Sequence, residues 1–206
     1  MTISEWLQLL GMQLKETPLL QWIGVAAAVA EVLLARSNKI WLYPAGIITT
    51  AITTYILFHA GLYAESLLNV YYFVMTIYGW WNWGKQSGRP VVVAFSSRKE
   101  WQTALAITLS SLGILYVVLK FYTPSGVPLW DAWVSATAWA GMWLLARRKV
   151  ENWIFLNISN AFAIPLLIKK ELPLYALLTV FLFIVAIQGY FRWKNIIRQN
   201  QAKTAV

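Results

Sequence analysis

Seven runs of mostly apolar residues follow one another along this chain, at 19–35, 40–59, 64–84, 101–121, 130–146, 152–168 and 172–191. About 20 such residues are what a helix needs to cross the hydrocarbon of a bilayer. Hydrophobic residues make up 59% of the chain and charged residues 12%, about half the charged share that covers a soluble domain. These spacings predict an all-α membrane protein with seven transmembrane helices in a single domain covering 1–206. The only long link, 85–100, reads as a polar loop. Residues 1–17 have no basic start and no small-residue cleavage site, so no removable signal is expected there. Ile3, Trp6, Leu7, Leu10 and Leu14 instead repeat at helical spacing, which predicts a short amphipathic helix lying in the interface.

The net charge of +9 invites a nucleic-acid reading, but the cations sit in short clusters between apolar runs and form no soluble face. Of the 17 Lys and Arg residues, 13 fall on one side of the predicted membrane (Arg36, Lys39, the 147–149 cluster and the C-terminal set among them) and four on the other (Lys15, Lys120, Lys169, Lys170). Positive loops stay cytoplasmic. The C-terminus is therefore predicted inside and the N-terminus outside, in a multi-pass protein of the cell inner membrane.

The first three runs repeat in the last three. LLAR at 33–36 returns at 144–147, each followed by a basic loop and a Trp, Trp41 and Trp153. Beyond that the step is 110 residues: Leu62, Leu67, Leu68 and Val70 match Leu172, Leu177, Leu178 and Val180, and Gly79 and Trp83 match Gly189 and Trp193. The second copy starts four spans after the first, and an even number of crossings returns the chain to the same side. The copies are thus parallel, giving two three-helix bundles (about 19–84 and 130–191) around a linker helix near 101–121. Parallel repeats of this kind occur among secondary transporters, with the solute site at their interface.

Polar side chains inside the runs are costly in lipid and mark function or pairing. Glu65, Asn69, Tyr72 and Thr76 share one helical face, as do Trp153, Asn157 and Asn160. Asp131, Ser135 and Trp139 fall in the fifth run and Thr50, Thr53 and Thr54 in the second. The candidate solute-binding set is Thr50, Asn69, Tyr72, Thr76, Trp139, Trp153, Asn157 and Asn160, an aromatic pocket with amides that suits a flat, polar ring. Glu31 reads as pairing with a neighbouring helix, His59 as an interface residue, and Trp81 and Trp83 as aromatic-belt anchors.

Two stretches, GLYAESLLNVYYFVMTIYGWWNW (61–83) and LWDAW through LLARRKVENW (129–153), resemble the Pnu family of vitamin transporters, with Leu-Tyr at 174–175 and Gly-Tyr-x-x-Trp at 189–193 extending the likeness over nearly the whole chain. The resemblance implies a three-plus-one-plus-three bundle like that of SWEET sugar transporters, assembled as a homotrimer. It also implies facilitated diffusion of a vitamin trapped by cytoplasmic phosphorylation, with no cofactor. Nicotinamide riboside is the first candidate and thiamine or riboflavin the next. Leu156 stands where the family has a second Trp and Asn69 where Gln is frequent, which loosens the substrate assignment.

Other classes fit less well. No G-x-x-x-x-G-K-[ST] motif is present to hydrolyse ATP. Retinal would need a Lys in the last run, and 171–191 has none. An intramembrane enzyme would need a nucleophile–base pair or a metal cluster, and the chain has no Cys and one His. A seven-helix ligand sensor and the binding module of a larger importer remain as competing classes.

Overall fold

The computed structural model describes residues 3–59, 63–84 and 92–204, without the side chains at 3, 63–65, 67, 203 and 204. Those residues form eight helices: α1 (Ile3–Glu16), α2 (Leu19–Arg36), α3 (Leu42–His59), α4 (Tyr63–Gly84), α5 (Arg98–Tyr122), α6 (Pro128–Ala146), α7 (Asn152–Lys169) and α8 (Pro173–Thr204). Among them α2, α5 and α8 (to Ala202) are long and apolar enough to cross a membrane by length and composition alone. α3 carries four Thr and α4 four Tyr, three Trp and two Asn, while α6 and α7 carry Asp131 and Lys169, all of which lower mean hydropathy. On α5 the outward residues Leu105, Leu109, Ile114, Val117 and Phe121 are all exposed. That row is what a helix presents to hydrocarbon, where polar backbone must be satisfied internally and apolar side chains face out. The protein is an all-helical membrane protein.

Local chemistry sets the ends. Ser97 caps α5, accepting from the Glu100 N–H (3.3 Å) while the Glu100 carboxylate accepts from the Ser97 N–H (2.8 Å). This reciprocal pairing satisfies two otherwise orphaned donors. The helix therefore starts at Arg98, three residues before the sequence boundary. α8 runs well past 191, because nothing after Trp193 breaks it.

Helices α2, α3 and α4 pack side by side in chain order, and so do α6, α7 and α8. α4 also packs on α6 and α2 on α8, so the six close a ring. α5 lies outside it against α6, touching α4, and α1 packs on α8. Gln13 pins α1, donating to the Glu171 carbonyl (3.1 Å) and accepting from the Leu174 N–H (3.3 Å).

The two halves of the ring repeat at a step of 110 residues down to single hydrogen bonds. Asn38 N–H to Ala35 O (2.9 Å) and Lys39 N–H to Leu34 O (2.9 Å) recur as Arg148 N–H to Leu145 O (2.9 Å) and Lys149 N–H to Leu144 O (2.9 Å). Both are helix terminations with a left-handed residue, Asn38 at φ 53° and Arg148 at φ 54°. The register corrects one sequence match. LLAR aligns at a step of 111, but the backbone aligns at 110. Ala35 therefore corresponds to Leu145, and the counterpart of Trp153 is Tyr43, not the exposed Trp41.

The link before α5 also departs from its sequence reading. Residues 85–91 lie outside the described residues, but 92–97 are not a free polar loop. Ala94 pairs with the 148–150 turn, donating to Arg148 O (3.2 Å) and accepting from Val150 N–H (3.1 Å). The buried Glu151 carboxylate accepts from the Ser96 N–H (2.9 and 3.0 Å) and from Ser96 Oγ (2.7 Å). Val93 inserts into the core beside Trp83, Val150 and Trp193. Val93, with the Ala94 and Ser96 hydrogen bonds, holds this strap in, while Val92 and Phe95 stay exposed.

Candidate functional site

At the end carrying the 36–41 and 147–151 turns, which we call the basic end, the ring is shut by aromatic side chains. Tyr43 lies edge-on to Trp83 (5.2 Å between ring centroids, 90°), and its counterpart Trp153 lies edge-on to Trp193 (5.6 Å, 87°). Each ring fits because the facing helix has glycine. A Cβ at Gly79 would lie 2.4 Å from the Tyr43 ring, and one at Gly189 would lie 2.6 Å from Trp153. The two Trp side chains cross between halves. Trp83 Nε1 donates to Leu145 O (3.2 Å) and Trp193 Nε1 to Ala35 O (3.0 Å). Arg148 lies 3.9 Å over the Trp83 ring. Trp83 is 2% exposed, so it is a core residue and not the belt anchor expected of it, whereas Trp81 is 58% exposed.

Around this plug the charges are tied down. Glu100 sits between Arg147 (3.2 Å) and Lys149 (3.1 Å). Burial works to raise its pKa, but the Ser97 and Lys149 hydrogen bonds and the Lys149 charge outweigh that and hold it at about 2. At the opposite end Asp131 accepts from Ser125 Oγ and pairs with Lys170 at 2.5 Å.

Midway along the ring lies a polar seam between α3 and α4. Asn69 Nδ2 donates to Thr50 O (3.0 Å) and to Thr54 Oγ1 (2.7 Å). A carbonyl oxygen only accepts, so the nitrogen of the amide is fixed toward Thr50 and the amide oxygen is left to accept. Thr50 and Thr76 are buried with hydroxyls returned to their own helices, to Gly46 O and Tyr72 O (both 2.8 Å). Tyr71, which the sequence reading did not single out, stacks on Trp139 (4.2 Å, 16°) and donates to its carbonyl (3.0 Å). It bridges α4 to α6, the seam between the halves. Its place in the 61–83 stretch, beside Tyr72, was the signal in the sequence.

The structure thus groups Thr50, Asn69, Tyr72 and Thr76, with Trp139 joined through Tyr71. Trp153 is in the basic-end plug. Asn157 lines a groove of about 420 Å³ between α7 and α8 together with Trp153, Ile154, Phe162 and Phe191, and its Oδ1 is buried without a partner among the described residues. Asn160 is one turn past Leu156 on α7. Glu65 falls on a side chain outside those described. Near the opposite end a cavity of about 330 Å³ lies between α2, α3, α7 and α8, lined by Gln21, Ala28, Thr49, Thr53 and Tyr175. Among the described residues no group of His, Cys, Asp or Glu could hold a metal ion.

A ring of two matched halves, shut at one end, with a cavity near the other and a polar seam between, suits a membrane solute transporter. The chain belongs to the nicotinamide mononucleotide transporter family, whose model matches residues 18–195. It is 25% identical over 214 residues to the nicotinamide riboside transporter PnuC of Escherichia coli (strain K12), covering 89% of this chain and 90% of the relative. The figures for the Shigella flexneri protein of the same description are equal. A crystal structure of a vitamin B3 transporter, PnuC, superposes with a TM-score of 0.70 at 20% identity, over 97% of this chain and 94% of that one.

Proposed function

We propose that this membrane transporter carries nicotinamide riboside by facilitated diffusion, through alternating access of two parallel three-helix bundles, α2–α4 and α6–α8, linked by α5. Seven helices would span the inner membrane as a single domain of 1–206, with α1 at the surface, the N-terminus outside and the C-terminus cytoplasmic. Assembly would be as a homotrimer. The observation that carries the mechanism is the reciprocal closure of the basic end by Trp83 and Trp193, with a cavity near the other end. That combination fits an outward-facing state with its cytoplasmic gate shut.

In this reading the solute descends from the cavity to the α3–α4 seam. The free acceptor oxygen of Asn69 would take a hydrogen bond from the carboxamide or a ribose hydroxyl, with Tyr72 beside it. Thr50 and Thr76 shape the seam wall. Trp139, backed by Tyr71, would offer its other face to the pyridinium ring, a contact worth roughly 0.5–2 kcal/mol. Trp153 acts below the solute in the gate. Asn157 and Asn160 come to the path only if α7 turns during the cycle. The relatives' description as nicotinamide riboside transporters supports the substrate.

Calorimetry of purified protein against nicotinamide riboside, thiamine and riboflavin in turn tests it. Binding of the first alone supports the reading, and tight binding of either other vitamin without the first overturns it.

A further inference from the structure

Glu31 lies on α2 in the ring's interior, and no described residue hydrogen-bonds or ion-pairs with it. The other described acids in buried or half-buried positions, Glu100, Asp131 and Glu151, all have partners at the helix ends. An uncompensated carboxylate at membrane depth is expensive and marks function by default.

Its surroundings are cut to admit it. A Cβ at Gly46 on α3 would lie 2.8 Å from Glu31 Oε1 and 3.2 Å from Thr76 Cγ2 on α4. The carboxylate therefore occupies a notch between α3 and α4, at the level of the polar seam. Ala28, one turn away on the same face of α2, lines the cavity. Glu31 itself is not part of that lining and lies one helical turn further toward the basic end. Tyr43, one turn nearer the basic end on α3, has a buried hydroxyl with no partner among the described residues.

The repeat shows that the fold does not require an acid here. At a step of 110, Glu31 corresponds to Gly141 and Gly46 to Leu156. In the second half the large and small residues are exchanged, and a Cβ at Gly141 would lie 2.9 Å from the Leu156 side chain. The same helix crossing is thus filled in one half by an apolar group and in the other by a carboxylate.

We propose that Glu31 is the charge-recognition residue of the solute path, its carboxylate selecting solutes with a cationic aromatic ring over neutral ones. This rests on the transport reading above and adds a specificity residue to it. The carboxylate below and the Tyr71–Trp139 stack beside the seam would address the same positive charge, one by Coulomb attraction and one by a π face.

The test compares binding of nicotinamide riboside, a cation, with its reduced dihydro form, whose ring is neutral, to wild type, Glu31→Gln and Glu31→Asp, with folding followed by gel filtration. Wild type should prefer the cation. Glu31→Gln should cut that preference by about tenfold, which corresponds to about 1.4 kcal/mol, with the neutral ligand's affinity retained. Glu31→Asp, which withdraws the carboxylate by one methylene, should cut it severalfold and carries the test if the Gln variant does not fold. Equal affinity of wild type for both ligands, or an unchanged preference in folded variants, overturns the proposal while leaving the transport reading intact. Failure of wild type to bind either ligand overturns both.

Discussion

Trp83 and Trp193 stand 110 residues apart in sequence and 6.1 Å apart between ring centroids, each donating its indole N–H to the last turn of the other half's first helix. The carbonyls they reach, Leu145 O and Ala35 O, are at helix C-termini and already accept from the Arg148 and Asn38 N–H groups, so each indole takes a second lone pair.

Replacing either Trp by Phe keeps a ring and removes the hydrogen bond. Each change should cost about 1 kcal/mol of closed-state stability. The two should couple in a double-mutant cycle, because they sit in one cluster. Thermal unfolding in detergent measures the first. Thiol labelling from the basic side measures gate opening, and the absence of native Cys makes single introduced cysteines clean reporters.

Gly79→Ala and Gly189→Ala should each destabilise by about 1–3 kcal/mol, the cost of overpacking a filled core. The methyl would meet the Tyr43 ring at 2.4 Å or Trp153 at 2.6 Å. Gly113→Ala, where nothing lies within 4 Å of the added carbon, should leave stability unchanged or raise it.

Asn69→Leu removes both the α3–α4 hydrogen bonds and the free acceptor. Vitamin affinity should fall at least tenfold, roughly the loss expected when a buried polar partner is deleted. Asn157→Leu should change affinity by less than about threefold, because its amide lines the α7–α8 groove and has no partner to lose. Equal losses in the two variants would place Asn157 on the solute path.

Glu100 makes the stability of the basic end depend on pH. Its pKa falls from 4.5 to about 2 on folding, so the folded state favours the ionised form. The contribution is complete above the ordinary carboxyl range and disappears as pH drops through about 2. Glu100→Gln should therefore unfold at lower temperature than wild type near neutral pH, and the two melting curves should converge as the buffer is taken below pH 3. High salt should narrow the neutral-pH gap, since Arg147 is partly exposed.

Ser96→Ala removes one of three hydrogen bonds to Glu151 and should loosen the strap while leaving the helices intact. Hydrogen exchange at 92–97 should rise. A cysteine replacing Val93 should label faster in the Ser96→Ala background than in wild type.

The helices and the two-copy plan were legible in sequence because apolar length and a repeated Gly-x-x-x-Trp survive without any tertiary information. The step of 110 was legible from residue 62 onward, but not at the ends of the first helices. An identical LLAR pulled the match one residue off, and only backbone hydrogen bonds show that Tyr43 stands where Trp153 does. The face shared by Asn69, Tyr72 and Thr76 was readable from helical spacing alone. The same spacing grouped Trp153 with Asn157. Both line the α7–α8 groove, as the shared face implies, but spacing could not show that Trp153 also packs into the plug, because periodicity gives a face and not its neighbour. Glu31 was visible as an acid in an apolar run. Its vacancy of partners needed the positions of Gly46 and Thr76.

The crossed indole bonds have one more consequence. Since each half holds the other's helix end, neither can swing away alone without breaking both contacts. Passage from one side of the membrane to the other should then show a single threshold, with no half-released species along the way.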